Sequence, residues 1–209
     1  VGATINVVTK ATDMVAGGRV SAMVGNDNYM KYVASYSTGL NENGWGASFL
    51  LSHWQGDGYN DGNNGRGQTY FFSMGYKPND KHQFNLSVTG APQQHYQNYQ
   101  KSIYDYDRDG DGDITNEEQR YNSNWGYKNG EVYSFRENFY HKPVANLNWD
   151  WNISDKSSLS TVLYGSTGSG GGTGNYGSSS NMYIYDANGQ IDFDQIMANN
   201  KAIVNDGSE

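Results

Sequence analysis

The chain has 209 residues, and its 14 Lys and Arg against 22 Asp and Glu give a formal net charge of −8. This acidic balance argues against nucleic acid as a partner bound through bulk charge. The absence of cysteine excludes disulfide scaffolds, thiolate metal sites and cysteine nucleophiles. The 27 glycines, 18 tyrosines and 5 tryptophans beside 3 prolines favour strands joined by polar loops over a helical bundle.

Apolar and polar residues alternate along much of the chain, which is the pattern of strands whose two faces differ in polarity. The alternation is clearest where Trp45, Ala47, Phe49 and Leu51 are separated by small or polar residues. The same period recurs at several other places. It predicts strands over residues 18–24, 30–40, 44–54, 67–77, 82–91, 139–153 and 158–167.

The predicted strands are joined by connections of two lengths. Short segments at 41–44, 78–81 and 154–157 carry the Asn, Asp, Gly and Ser residues of tight hairpins. Longer connections, among them 55–67 and 91–138, alternate with these hairpins along the chain. Short and long loops at opposite strand ends, with aromatic residues near the strand ends, are typical of an outer-membrane β-barrel.

A soluble β-sandwich or a two-sheet carbohydrate-binding module is the alternative, because such folds also alternate and are also rich in Gly and Tyr. Two features favour the barrel. The alternating run at 139–153 is longer than the 5–6 residues usual in globular strands. The hydrophobic content of only 35% suits a barrel with a polar lumen and large loops.

Four segments carry a resemblance to a known family. Residues 2–10 read GATINVVTK, residues 57–62 read DGYNDG, residues 139–149 begin FYHKP and end LNW, and residues 170–174 read GGGTG. In this order they resemble the plug end, first outer loop, a barrel strand and a later outer loop of TonB-dependent outer-membrane transporters from Bacteroides-like bacteria. The plug end lacks the NGVILITTKKG-like form of the polysaccharide-importing Sus-type members, which argues against a Sus-type assignment.

The resemblance implies an antiparallel transmembrane β-barrel of about 22 strands with a plug domain inside it. Residues 1–10 would then be the C-terminal end of the plug, and residues 11–209 the N-terminal part of the barrel. Long extracellular loops are expected at 91–138 and from about residue 168. Seven strands cannot close such a barrel, and an open sheet edge is not tolerated in lipid. We therefore expect the chain to be a piece of a longer protein whose ends both look cut.

The resemblance also implies a function. Such a transporter lies in the cell outer membrane and imports a large solute, such as an iron chelate, cobalamin or a glycan. Import is driven by the inner-membrane TonB complex, which would be contacted through an N-terminal region. Outer-membrane lipid, the transported solute and a surface lipoprotein are the other implied partners. The alternative remains a soluble extracellular β-sandwich that binds carbohydrate with calcium support.

Residues 107–118 read DRDGDGDITNEE and match the 12-residue calcium loop of an EF-hand. Gly112 stands at the position of the sharp turn. The predicted ligands are Asp107, Asp109, Asp111, Asp113 through its backbone carbonyl, Thr115 through water, and Glu118. Because such close carboxylates repel one another without a cation, we expect a structural Ca²⁺, with a solvated acidic loop as the alternative. The flanks are too short for firm helices, so a lone calcium loop is predicted.

Catalytic patterns are weak in this sequence. The four histidines, His53, His82, His95 and His141, have no HxxxH or HExxH spacing. No serine lies in a G-x-S-x-G elbow, and the glycine-rich run at 168–174 lacks the lysine of a phosphate-binding loop. We therefore expect a protein that is not an enzyme.

Overall fold

The computed structural model describes residues 10–99, 101–174, 176 and 183–205, with residues 204 and 205 lacking described side chains. Except for Lys10, the predicted plug end lies outside the described residues. The described secondary structure is mostly antiparallel sheet with one α-helix, which confirms the all-β class. Among the described residues, no helix combines the length and the apolar character needed to cross a membrane.

The strands are named in chain order. They are β1 (Gly17–Val24), β2 (Met30–Ser37), β3 (Trp45–Gly56), β4 (Gly65–Tyr76), β5 (His82–Gly90), β6 (Gln93–Tyr96), β7 (Trp125–Lys128), β8 (Glu131–Ser134), β9 (Glu137–His141), β10 (Val144–Ser154), β11 (Ser157–Ser166), β12 (Ser169–Gly172) and β13 (Ile191–Asp192). The helix α1 spans Phe193–Asn205. The main sheet has the antiparallel order β1-β2-β3-β4-β5-β10-β11, and these strands correspond to the seven predicted from the alternation.

The predicted strand at 139–153 is wrong in one respect, because the structure divides it into β9 and β10. The division falls at Pro143, which has no backbone N–H to donate to a strand ladder. The two parts have different neighbours: β10 pairs with β5 and β11, while β9 pairs with β6 and β12. The sheet thus continues beyond Pro143 as a narrower extension, in which β6 also pairs with β4.

The two faces of the main sheet differ sharply in its central strands, whereas the edge strands β1 and β11 are largely exposed on both faces. We call the face that bears Gly46 and Ser48 the inner face, and the face that bears Trp45 and Phe49 the outer face. Small polar side chains of the inner face are buried, namely those of Ser37, Ser48, Ser73, Asn85 and Ser87. Large apolar side chains of the outer face are exposed, namely Val20, Tyr36, Phe49, Leu51, Phe72, Met74, Leu86, Leu147 and Leu163. This arrangement is the reverse of a globular protein, where large apolar side chains are the buried ones.

The inner face is covered near the short hairpins by the segment that precedes β1. A single 3₁₀ turn at Ala11–Asp13 lies on β3 and β4, with Ala11 and Thr12 buried. A Cβ atom on Gly46 would lie 2.8 Å from the Ala11 carbonyl oxygen, so this close approach requires a glycine. The Ala11 amide donates to Asn85 Oδ1 at 3.0 Å. Lys10 Nζ forms an ion pair with Asp150 Oδ2 at 2.7 Å.

A small lobe accounts for the buried apolar core of the described residues. Strands β7 and β8 form a hairpin whose turn residues Asn129 and Gly130 have φ of +51° and +80°, as a type I′ turn requires. Strand β13 pairs with β7 in parallel, and helix α1 follows it directly. The core consists of Ile191, Phe193 and Ile196, with Tyr133, Phe135 and Ile184 packed against it.

The small lobe lies within the two regions that the sequence predicts as long loops, 91–138 and the stretch after residue 168. Both regions contain regular structure, including β6–β8 in the first and β12, β13 and α1 in the second. Strands of two to four residues are too short to show a period of two in the sequence. The parallel contact is very close, since a Cβ on Gly126 would lie 1.9 Å from the Ile191 carbonyl oxygen.

Candidate functional site

The acidic loop at 107–118 lies between β6 and β7, and single 3₁₀ turns flank it. The first turn spans Ile103–Asp105 and is capped by Ser102, and the second spans Glu118–Arg120. Among the described residues no α-helix borders the loop, in agreement with the prediction that its flanks are too short for firm helices. Gly110 and Gly112 have φ of +76° and +84°, and a Cβ on either would meet no neighbouring atom. Backbone conformation rather than crowding therefore requires glycine at both positions.

The structure brings together three of the predicted acidic ligands. Carboxylate oxygens of Asp107, Asp109 and Glu118 lie within 4.8 Å of one another. The Asp111 carboxylate is outside this group, and its Oδ1 accepts a hydrogen bond from the Asp113 amide at 2.7 Å. The Asp113 carboxylate is also outside the group, and a ligand role for its backbone carbonyl stays a prediction.

Glu118 is held in the loop by backbone and hydroxyl donors. Its Oε2 accepts the Thr115 amide at 2.9 Å and the Thr115 hydroxyl at 2.9 Å, and its Oε1 accepts the Arg108 amide at 2.7 Å. These hydrogen bonds, with that of the Thr115 amide first, lower the pKa of the Glu118 carboxyl below its ordinary value. Glu118 is therefore ionised at neutral pH, as a cation ligand must be.

Asp107 supplies the observation that tests whether the loop fits a metal ion. Its Oδ2 accepts the Gly112 amide at 3.1 Å, whereas its Oδ1 is buried and has no hydrogen-bond partner among the described residues. A buried acceptor without a partner is costly. Ca²⁺ prefers carboxylate and carbonyl oxygens, and the donors here are all of that kind. The residues present therefore fit a calcium ion held by Asp107, Asp109 and Glu118.

The end of the acidic loop is fixed to the strand ends that lie opposite the short hairpins at 41–44, 78–81 and 154–157. We call these the outer ends of the main strands. Arg120 forms ion pairs with Asp27, at 2.5 Å, and with Asp61, at 3.5 Å. The Asp61 amide donates to the Arg120 carbonyl at 2.8 Å. The ring of Trp125 lies so close to Gly62 that a Cβ there would be 2.1 Å from its Cγ. The loop is thus attached to the β1–β2 hairpin and to the β3–β4 connection.

Sequence reasoning missed Arg120, whose role depends on carboxylates that are distant in the chain. The only signal for Arg120 in the sequence is the presence of an arginine two residues after the acidic loop. The histidines show no such assembly among the described residues. His53 is hydrogen-bonded to Gln68, His82 to Trp149 and His141 to Tyr70, each outside any described group of metal-ligating side chains.

Comparisons with family models, with curated proteins and with solved structures found no match. The function must therefore be argued from the residues and their geometry.

Proposed function

We propose that the chain is part of a TonB-dependent outer-membrane transporter that imports a large solute with energy from the inner-membrane TonB complex. The observation that carries this proposal is the reversed polarity of the central strands of the main sheet, with exposed apolar side chains on the outer face and buried small polar side chains on the inner face. In the proposed transporter the outer face contacts outer-membrane lipid, and the inner face lines the interior of a larger barrel of about 22 strands.

The composition of the outer face supports contact with lipid. The rows that pair Trp45, Ala47 and Phe49 across β4, β5 and β10 contain no charged side chain. Near the short hairpins, Trp45 stacks on Tyr76 with ring centroids 4.3 Å apart, and Trp149 stacks on Trp151 at 5.9 Å. Aromatic residues at the border of an aliphatic band are typical of strands that cross a membrane.

The segment on the inner face supports the interpretation of residues 1–10 as the end of a plug. Lys10, the last residue of the predicted plug end, contacts β10 from the inner side, and Ala11, which follows it, contacts β5 from the same side. A plug inside a barrel would have to be joined to the first strand along such a path. The alternative, a soluble β-sandwich, would need a second layer over the outer face, where Leu163 is 68% exposed and Val20 is 85% exposed.

The acidic loop has a structural part in this proposal. It binds Ca²⁺ through Asp107, Asp109 and Glu118, with Asp111 and the Asp113 carbonyl as further candidate ligands. The ion neutralises the clustered carboxylates and fixes the segment that leads to Arg120. A weak site is sufficient outside a cell, because extracellular calcium modules have dissociation constants of about 10⁻⁴–10⁻³ M. A surface lipoprotein is a further proposed partner on the extracellular side of the outer membrane.

A labelling experiment on intact cells tests the proposed topology. Single cysteines are introduced at Glu42, in a short hairpin, and at Asn116, in the acidic loop; both side chains are exposed. In the full protein, otherwise free of cysteine, a membrane-impermeant maleimide should label Asn116→Cys on intact cells, but Glu42→Cys only after lysis. Recovery of the protein in the soluble fraction, or equal labelling of both sites on intact cells, would contradict the proposal.

A further inference from the structure

A cavity of about 370 Å³ lies where the outer ends of β3, β4 and β6 meet the small lobe. Gly56 and Gly65 at the strand ends form part of its wall, and Val132 of β8 closes it from the lobe. Its volume falls in the range of about 300–1,000 Å³ that is usual for small-molecule sites. It lies on the side of the sheet opposite the short hairpins.

The wall of this cavity is dominated by neutral polar side chains. The groups that matter for binding are Asn28, Gln55, Asn64, Gln94, His95 and Tyr96. Each amide side chain carries both hydrogen-bond donors and an acceptor. Gln94 uses both kinds of group within the protein, since its Oε1 accepts from Arg66 and its Nε2 donates to Glu137. Burial raises the pKa of the Tyr96 hydroxyl, with a smaller contribution from Glu137, so this group remains a neutral donor at neutral pH.

The two ionised side chains of the wall are partnered within it. Asp57 accepts hydrogen bonds from Asn28 Nδ2 at 2.5 Å and from Asn64 Nδ2 at 3.3 Å. Arg66 donates to Gln94 Oε1 at 3.1 Å. One carboxylate and one guanidinium give the lining no net formal charge. The cavity therefore offers no charge that would select an anion or a cation.

The wall is held by backbone contacts as well. The Asp57 amide donates to the Asp27 carbonyl at 2.8 Å, and the Tyr96 amide donates to the Asn64 carbonyl at 2.9 Å. Gln94 Nε2 donates to Glu137 Oε1 at 2.5 Å. These contacts join the two loops and β6 into one frame, and a pre-organised site loses less entropy on binding.

We propose that this cavity binds a neutral, hydroxyl-rich ligand, namely one or two sugar residues of a carbohydrate. Hydroxyl groups both donate and accept, as the amide side chains do, and the Tyr96 ring offers an apolar surface for the face of a sugar. The inference rests on the proposed function, because it makes the cavity an outer contact of the imported solute. Among the named solutes it favours a short glycan, because the wall lacks the net charge expected for an ionic iron chelate and cobalamin is too large for the cavity. A short glycan agrees with a plug end that differs from that of the polysaccharide-importing Sus-type members.

The test measures binding to the full protein in detergent by saturation-transfer NMR. The probes are neutral disaccharides of glucose, galactose, mannose and xylose, with citrate as the anionic comparison. At least one disaccharide should bind more tightly than citrate. Gln94→Leu and Tyr96→Phe should each weaken that binding about five- to tenfold. Tyr96→Phe removes a hydroxyl group from the wall, and Gln94→Leu removes the amide that holds Arg66 and Glu137 in place. Gln195→Leu, an exposed amide of α1, should leave it unchanged.

Three results would overturn the inference: no saturation transfer to any of the disaccharides, tighter binding of citrate, or equal effects of the cavity variants and the α1 variant. Tyr96→Phe keeps the ring and serves if Gln94→Leu fails to fold. The labelling experiment separates failure of the carbohydrate inference from failure of the proposed transporter function. A correctly oriented membrane protein that binds no sugar retains the transporter proposal and loses only the carbohydrate inference.

Discussion

At the scale of single residues, the acidic loop brings carboxylates of its EF-hand-like pattern together at one point. Glu118 is positioned by the amides of Arg108 and Thr115, and Asp107 keeps one buried oxygen without a partner. Both carboxylates meet that of Asp109 at the same point. This convergence requires the left-handed backbone of Gly110 and Gly112, so the glycines matter as much as the acids.

Substitution of Glu118 by Gln should weaken calcium binding at least about tenfold, because it removes a charged ligand from the proposed site. Isothermal titration calorimetry on the full protein measures the affinity. Glu117→Gln is the matched control, since it makes the same chemical change at the adjacent exposed residue outside the acidic cluster. Equal affinities of the two variants would remove Glu118 from the site.

The lowered pKa of Glu118 predicts a pH dependence of the calcium-free loop. A carboxyl whose pKa is lower in the folded state stabilises that state above its unfolded pKa, and this contribution disappears as the pH falls through the folded pKa. The Thr115 amide resonance should therefore titrate with a midpoint below the ordinary Glu value of 4.5. A midpoint at or above that value would show that the hydrogen bonds of Glu118 are absent in solution.

At the scale of elements, β3 presents two chemically different faces one residue apart. Leu51 is 57% exposed on the outer face, whereas Ser52 lies on the inner face. The period of two fixes this separation, and the register of β3 with β4 carries it into the neighbouring strand. The same strand must pass beneath the segment at 10–13, which explains why Gly46 is not a larger residue.

Leu51→Lys should destabilise the protein in lipid by about 2–4 kcal/mol, because it places a charge on the lipid-contacting face of the proposed barrel. Ser52→Lys, one residue away on the polar inner face, should have a much smaller effect. Urea unfolding of the full protein in lipid vesicles measures both. A larger loss for Ser52→Lys than for Leu51→Lys would contradict the assignment of the outer face.

Gly46→Val should lower the free energy of unfolding by about 1–3 kcal/mol, because its Cβ would meet the backbone carbonyl of Ala11. Gly165→Val is the matched control, since a Cβ at Gly165 of β11 would meet no described atom within 4 Å. The same unfolding measurement compares the two variants. Equal stabilities would indicate that the segment at 10–13 does not lie on β3.

At the scale of the whole molecule, the buried apolar core lies in the small lobe, while the main sheet exposes its large apolar side chains. The lobe is assembled from two stretches that are far apart in the chain, one containing β7 and β8 and the other containing β13 and α1. Arg120 joins the acidic loop beside this lobe to the ends of the main strands.

Arg120→Gln should make the β3–β4 connection roughly threefold or more faster to cleave by protease, because Asp27 and Asp61 lose their shared partner. Limited proteolysis of the full protein, with mass spectrometry to locate the cuts, measures the rate. Lys156→Gln removes one positive charge from the exposed β10–β11 turn and should not change cleavage in the β3–β4 connection. Equal rates for both variants would show that Arg120 does not hold this connection.

The sequence by itself determined the features that depend on near neighbours. Alternating residues such as Trp45, Ala47 and Phe49 predicted the seven main strands, because side chains of a strand point to opposite faces in turn. The spacing of acids and glycines in 107–118 predicted the cluster of Asp107, Asp109 and Glu118 in the same way. The strand prediction failed at Pro143 for a local reason as well. The alternation of apolar and polar residues continues across this proline, which ends the hydrogen-bonded strand ladder.

The tertiary structure alone decided the contacts between distant parts of the chain. The pairing of β7 with β13, the attachment of Arg120 to Asp27 and Asp61, and the passage of residues 10–13 over Gly46 each join residues more than 30 positions apart. Strands as short as β7 and β13 leave no alternation of apolar and polar residues that could be recognised in the sequence. The neutral cavity arises likewise, because its amides converge only when separate loops and strands meet.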